Sequence, residues 1–124
     1  ELAARLLKAG SQVMVIEGPA EQGLSTKLTE GMRDGLIFAA RCLPLPRLAG
    51  ALRRCATFVG NDSGIPHLSA ALGIPSVVLF GPTSPRHWAP AGTRVKAIKA
   101  ELGCLARLPV DSVWDALVQG TPTA

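Results

Sequence analysis

Short apolar runs alternate along this chain with segments whose apolar residues recur every three or four positions. The runs are Gln12 to Ile16, Leu36 to Ala40, Ala56 to Gly60, Ser76 to Phe80 and Val95 to Ile98. Their length and β-branched character predict strands, the last one an edge strand. The periodic segments predict helices. Leu2, Leu6 and Leu7 make one apolar face that ends near Gly10, and Leu24, Leu28 and Met32 form a stripe along Glu21 to Met32. Arg47 to Arg54 turns Leu48 and Leu52 inward, and Pro66 to Leu72 is a short helix. Asp111 to Gln119 closes the chain with Val113, Trp114 and Leu117 for packing. Pro85 to Gly92 reads as loop, and the stretch 99–109 as either loop or broken helix. Strand follows helix throughout, and the strands are continuous apolar runs. This order predicts an α/β fold, a parallel sheet with helices on both faces.

The connections that follow two of the strands carry the chemistry. After Val59 and Gly60 comes Asn61-Asp62-Ser63-Gly64-Ile65-Pro66-His67, a polar turn opening a helix that stops at Gly73-Ile74-Pro75. After Phe80 comes Gly81-Pro82-Thr83-Ser84-Pro85. Turns of this kind line the crevice at the carboxyl ends of parallel strands, where open α/β sheets bind ligands. The first turn also exposes backbone N–H groups of Gly64, Ile65 and His67 at a helix start, which suits an anion such as a phosphate. Asp62 or Ser63 can cap that helix. Gly64 lets a ligand approach the backbone, and Pro66 falls where a missing N–H costs nothing. His67 sits one turn in and can reach back toward the bound group. An ordinary capped strand–helix connection, with His67 a surface side chain, is the competing reading of the same residues.

Composition narrows the classes. The 124 residues suffice for one domain with its own core, and 48% hydrophobic against 18% charged residues describes a globular chain. No apolar run reaches the roughly 18 residues that read as a membrane span. The net charge of +4 is spread out: Arg53-Arg54 and Arg94-Lys96-Lys99 are short clusters that read as solvated faces, or less readily as contacts to phosphate or an anionic membrane. Aromatics at 4% and no recognition motif argue against nucleic acid as partner. Cys42, Cys55 and Cys104 have no metal spacing; an odd, wide set fits reduced thiols in the cytoplasm, with Cys55 in the core. No Gly-x-Gly-x-x-Gly or Gly-Lys-Ser/Thr loop is present, which disfavours a dinucleotide redox cofactor and a P-loop. Asp62, Ser63 and His67 share one turn, which is not the geometry of a hydrolase triad.

Three linked segments resemble the signature of glycosyltransferase family 9, the bacterial ADP-heptose:lipopolysaccharide heptosyltransferases and their relatives. They are Asn61 to Pro75 (Asp-Ser-Gly-x-x-His-x-x-Ala-Ala-x-Gly-x-Pro from Asp62), then Leu79-Phe80-Gly81-Pro82-Thr83-Ser84-Pro85, then Trp88-Ala89-Pro90. Glu17-Gly18-Pro19-Ala20-Glu21 resembles the family's Gly-Gly-Pro-x-Glu turn, with Glu17 in place of the first Gly. Leu43 to Leu48 stands where the family has a loop beside the nucleotide base. The resemblance covers nearly the whole chain, most clearly Val13 to Pro90. It implies the Rossmann-like, C-terminal half of a two-domain GT-B enzyme, the half that holds the nucleotide sugar; residues 1–124 then form one donor-binding domain of a longer protein.

The resemblance further implies site roles. Glu21 would meet the ribose and Gly18 would belong to the same nucleotide-sugar site, Leu45 and Pro46 would floor the adenine, and Asp62, Ser63, Gly64, Ile65 and His67 would hold the diphosphate. Thr83, with Ser84, would meet the sugar or distal phosphate. Trp88 would pack beneath that loop. His67 would stabilise the leaving group, with no metal and no cofactor. The implied reaction is inverting transfer of heptose from ADP-heptose to a lipopolysaccharide core acceptor. The general base and the lipid-linked acceptor site would belong to the other half. The implied location is the cytoplasm, with peripheral contact at the inner face of the bacterial inner membrane. A noncatalytic nucleotide- or phosphate-binding module, or another GT-B enzyme such as a nucleotide-sugar epimerase, are the alternatives.

Overall fold

A computed structural model describes residues 1–32 and 35–119. The elements in order are α1 (Leu2–Lys8), β1 (Val13–Glu17), α2 (Leu24–Thr29), β2 (Ile37–Arg41), α3 (Leu45–Leu52), β3 (Phe58–Asn61), α4 (Gly64–Ala71), β4 (Ser76–Phe80), α5 (Pro85–Trp88), β5 (Val95–Lys99) and α6 (Val110–Val118). Single 3-10 turns lie at Pro19–Glu21, Glu101–Gly103 and Leu105–Arg107. The chain divides into two compact units, Glu1–Leu48 and the remainder from Ala49, so the division falls within α3.

All strand pairs are parallel, as the alternation of strand and helix requires. In the first unit β1 pairs with β2, placing Val13 opposite Ile37 and Glu17 opposite Arg41. In the second unit β4 is central, between β3 and β5. Val77, Val78 and Phe80 of β4 are fully buried. Neighbouring residues of a strand face opposite sides, so β4 is covered on both faces; α4 and α6 pack against it. Val113 and Ala116 are the buried residues of α6. Ser69 of α4 and Ser76 of β4 are buried polar exceptions that satisfy each other, with Oγ atoms 3.0 Å apart, and Ser76 Oγ also donates to the Ile74 carbonyl at 2.8 Å.

The Gly73-Ile74-Pro75 stop works as the residues dictate. Gly73 adopts φ +74, the Ile74 N–H donates to the Ser69 carbonyl at 3.1 Å, and Gly73 N–H donates to the Ala70 carbonyl at 2.9 Å. This left-handed closure satisfies orphan carbonyls of α4 and turns the chain into β4 with Ile74 buried.

Several elements differ from expectation. The helix expected over Glu21 to Met32 is limited to α2, because Gly23 at φ +86 breaks the chain before it and Gly31 at φ +76 lies beyond its end. Its stripe is not core: Leu24 is 55% exposed and Leu28 41%. Leu45 and Pro46, expected in a loop, form the first turn of α3, where proline's fixed φ is tolerated. Helix α4 begins at Gly64, with Pro66 inside its first turn. The stretch expected as loop contains α5, and 99–109 resolves into two 3-10 turns. Trp88 does not pack beneath its loop; it is 58% exposed. Cys55 is half-buried, and burial pushes its thiol pKa up; Cys42 and Cys104 are exposed.

Candidate functional site

Of the helix starts that follow parallel strands, those of α2 and α4 are finished differently. In the first unit β1 ends at Glu17, whose side chain is buried. Its carboxylate accepts the Ser25 N–H at 2.7 Å and the Gly23 N–H at 3.3 Å, both at the start of α2. Arg41, opposite it on β2, donates from Nε to Ser25 Oγ at 2.9 Å and from Nη2 to Thr26 Oγ1 at 3.3 Å. The Ser25 side chain, then the Ser25 N–H, hold the Glu17 carboxyl below its ordinary value against the opposing effect of burial; the Gly23 N–H and the Arg41 charge add to the lowering. A carboxylate of the chain itself thus occupies the anion position at the α2 start.

Between β1 and α2 lies the Gly18-Pro19-Ala20-Glu21 turn. Glu21 is exposed, and its Oε2 accepts the Gly18 N–H at 3.0 Å. A Cβ at residue 18 would stand 2.8 Å from that same oxygen, so the glycine lets the carboxylate fold over the backbone. Further along the unit, Leu45 is 66% exposed and Pro46 is exposed beside it in the first turn of α3.

In the second unit the start of α4 is built from backbone alone. Ser63 is the N-cap in extended conformation (φ −160, ψ −171), and no side chain caps the helix. The expectation that Asp62 or Ser63 caps it is therefore corrected. Asp62 lies just past the end of β3, where its N–H donates to the Leu79 carbonyl at 3.1 Å and extends the β3–β4 hydrogen bonding by one residue. The first-turn N–H groups of Gly64 and Ile65 have no partner within a helix, and Pro66 carries none. Ser63, Gly64 and His67 are exposed, Ile65 is half-buried and Pro66 buried. A Cβ at Gly64 would meet no atom within 4 Å, and its backbone is helical, so neither packing nor strain requires glycine there.

The turn after β4 places Thr83, half-buried, in the same unit. Lys99, expected in a solvated cluster, is exposed, and its Nζ also braces this turn by donating to the carbonyls of Gly81 and, at 2.9 Å, Thr83. No local signal reveals this, because the partners lie 16 and 18 residues away in sequence.

Among known proteins, the model of glycosyltransferase family 9 (heptosyltransferase) matches residues 1–115. The chain is similar to lipooligosaccharide heptosyltransferase 2 of Haemophilus influenzae, 29% identical over 109 residues, which are 82% of this chain and 32% of that protein. It is 35% identical over 86 residues to lipopolysaccharide heptosyltransferase 1 of Pseudomonas aeruginosa, 68% of this chain and 24% of that protein. Its fold resembles E. coli heptosyltransferase WaaC solved with ADP, with a TM-score of 0.87 at 25% identity over 95% of this chain and 37% of that one. The chain thus spans about a quarter to two fifths of the length of these relatives.

Proposed function

Because the chain belongs to glycosyltransferase family 9, we propose that it is the donor-binding domain of an inverting transferase that moves heptose from ADP-heptose to a lipopolysaccharide core saccharide. The observation that carries this reading is the contrast between the two helix starts. The α2 start is filled by Glu17. The α4 start offers N–H groups with no side-chain cap and a glycine that the fold does not need. Such a start suits the diphosphate of a nucleotide sugar.

In this reading Asp62, Ser63, Gly64, Ile65 and His67 form the diphosphate turn, with the backbone of Gly64 and Ile65 as donors. Asp62 shapes the turn through its place in the β3–β4 ladder, since a carboxylate beside a diphosphate is otherwise unfavourable. Within the first unit, Glu21 over Gly18 is the proposed ribose carboxylate, and Leu45 and Pro46 are the proposed adenine contacts; within the second unit, Thr83 is the proposed sugar contact. The reaction breaks the bond between the anomeric carbon and the diphosphate oxygen while an acceptor hydroxyl attacks from the opposite side. The electron pair goes to the diphosphate, and the hydroxyl proton to a carboxylate outside this chain. The α4 N–H groups and His67 stabilise the charge that grows on the departing diphosphate. The proposed acceptor is lipid-linked, which fits a reaction at a membrane surface, proposed here as the inner face of the inner membrane.

Titration with ADP, UDP and inorganic phosphate tests the reading. ADP is expected to bind more tightly than UDP, because Leu45 and Pro46 meet the base, and more tightly than phosphate. Equal or better binding of UDP would remove the adenine assignment. No preference of ADP over phosphate would leave a plain anion-binding module in place of a donor domain. The isolated chain is expected to transfer no sugar; turnover of ADP-heptose by it alone would defeat the division of labour proposed here.

A further inference from the structure

We propose that Lys99 is a positioning residue for the sugar end of the donor, acting through the turn Gly81-Pro82-Thr83. The inference rests on the donor-binding reading above and goes beyond it by naming a residue that does not itself belong to either turn.

Lys99 is the last residue of β5 and stands opposite Phe80, the last residue of β4. The Ala100 N–H donates to the Phe80 carbonyl at 2.8 Å, so the β4–β5 register is held up to the point where the turn begins. From there the Lys99 side chain reaches across to the carbonyls of Gly81 and Thr83. An ammonium has three donors and bonds more strongly than a neutral group. Two of the three are spent on this turn. The turn is also walled on another side. A Cβ at Gly81 would stand 3.1 Å from Leu105 Cγ and 3.3 Å from the Gly103 carbonyl oxygen. Lys99 ties the turn on one side, and Gly103 and Leu105 back it on another. A carbonyl fixed in direction fixes its whole peptide plane, and with it the backbone that carries the Thr83 hydroxyl. Proline at 82 has no N–H and adds no ladder bond of its own, so the lysine supplies a restraint that the backbone does not.

The consequence is selective. Thr83 serves the sugar, so loosening its turn weakens a sugar-bearing ligand and leaves the nucleoside diphosphate as it was. Lys99→Met keeps most of the side-chain length and removes the donors. In NMR titrations of the chain, Lys99→Met is expected to bind ADP-heptose about tenfold more weakly than wild type, as expected for loss of a charge-assisted tie. ADP affinity should stay within about twofold, since ADP makes no contact with the turn in this scheme. The melting temperature should change little. Thr83→Val should produce the same loss for ADP-heptose, and the double variant should lose no more than either single one, because both remove the same contact. Wild-type affinity for ADP-heptose in Lys99→Met would overturn the proposal. An equal loss of ADP and ADP-heptose, with a lowered melting temperature, would also overturn it and make Lys99 a structural tie. A wild-type chain that binds neither ligand would instead overturn the donor-binding reading, and this inference with it.

Discussion

The starts of α2 and α4 each follow a parallel strand, α2 after the 3-10 turn Pro19–Glu21 and α4 almost directly, and they are finished in opposite ways. At α2 the chain supplies its own anion. Glu17 accepts two N–H bonds, and Arg41 braces the hydroxyls of Ser25 and Thr26 beside it. At α4 no side-chain oxygen takes that role, although Asp62 and Ser63 are both of the residue types that could. Two residues of capping type that do not cap, next to a glycine that neither packing nor strain requires, are the observations on which the proposed diphosphate turn rests. The comparison teaches that a helix start already filled by the chain's own carboxylate, as at α2, is the poorer candidate for an outside anion.

The largest effect expected from breaking this contrast is at His67. In an enzyme that carries this domain with its acceptor half, His67→Ala should lower turnover by on the order of 100-fold. Donor binding should weaken much less, because leaving-group charge is greatest in the transition state. Steady-state kinetics with separate donor binding checks it; wild-type turnover would leave the backbone alone to bind the diphosphate.

Gly64→Ala is expected to act next most strongly. A methyl group there meets nothing in the chain, so thermal melting should show equal or slightly higher stability, up to about 1 kcal/mol. ADP affinity should nevertheless fall about tenfold, the order expected when one close approach to donors is blocked. A variant that is both stable and fully competent to bind ADP would show that nothing approaches Gly64.

The smallest effect on ligand and the clearest on pH belongs to Glu17. Its folded pKa lies below the unfolded one. It therefore stabilises the fold at neutral pH, and that contribution is lost as pH falls through the folded value, below the ordinary carboxylate range. Glu17→Gln should lower the melting temperature at pH 7 and flatten its decline in acid. An unchanged acid limb would mean that Glu17 is not the anion that closes α2.

The sequence pattern located most of this but not all of it. Strand β4 is found with the same bounds, Ser76–Phe80, because it is a nearly all-buried, mostly apolar run bracketed by Pro75 and Gly81. The two turns of the second unit stand out for the same reason, being short and punctuated. Two features were illegible. Glu17 reads as a departure from a glycine in the family's turn; its purpose appears only when the chain folds back to bring the N–H of Ser25, eight residues on, to its carboxylate. Lys99 reads as one of three scattered cations until the parallel ladder sets it beside Gly81 and Thr83. The stripe of Leu24 and Leu28 misled for a related reason: helical spacing reports a face, while what covers that face is decided by the rest of the fold.

The central claim is that α4, and not α2, receives the diphosphate, and backbone amide spectra of the chain during titration with ADP test it most directly. The amides of Gly64 and Ile65 should show the largest shifts, with those of Gly23 and Ser25 hardly moving because Glu17 already holds them. Shifts centred on Gly23 and Ser25, or none at Gly64 and Ile65 while ADP binds, would contradict it.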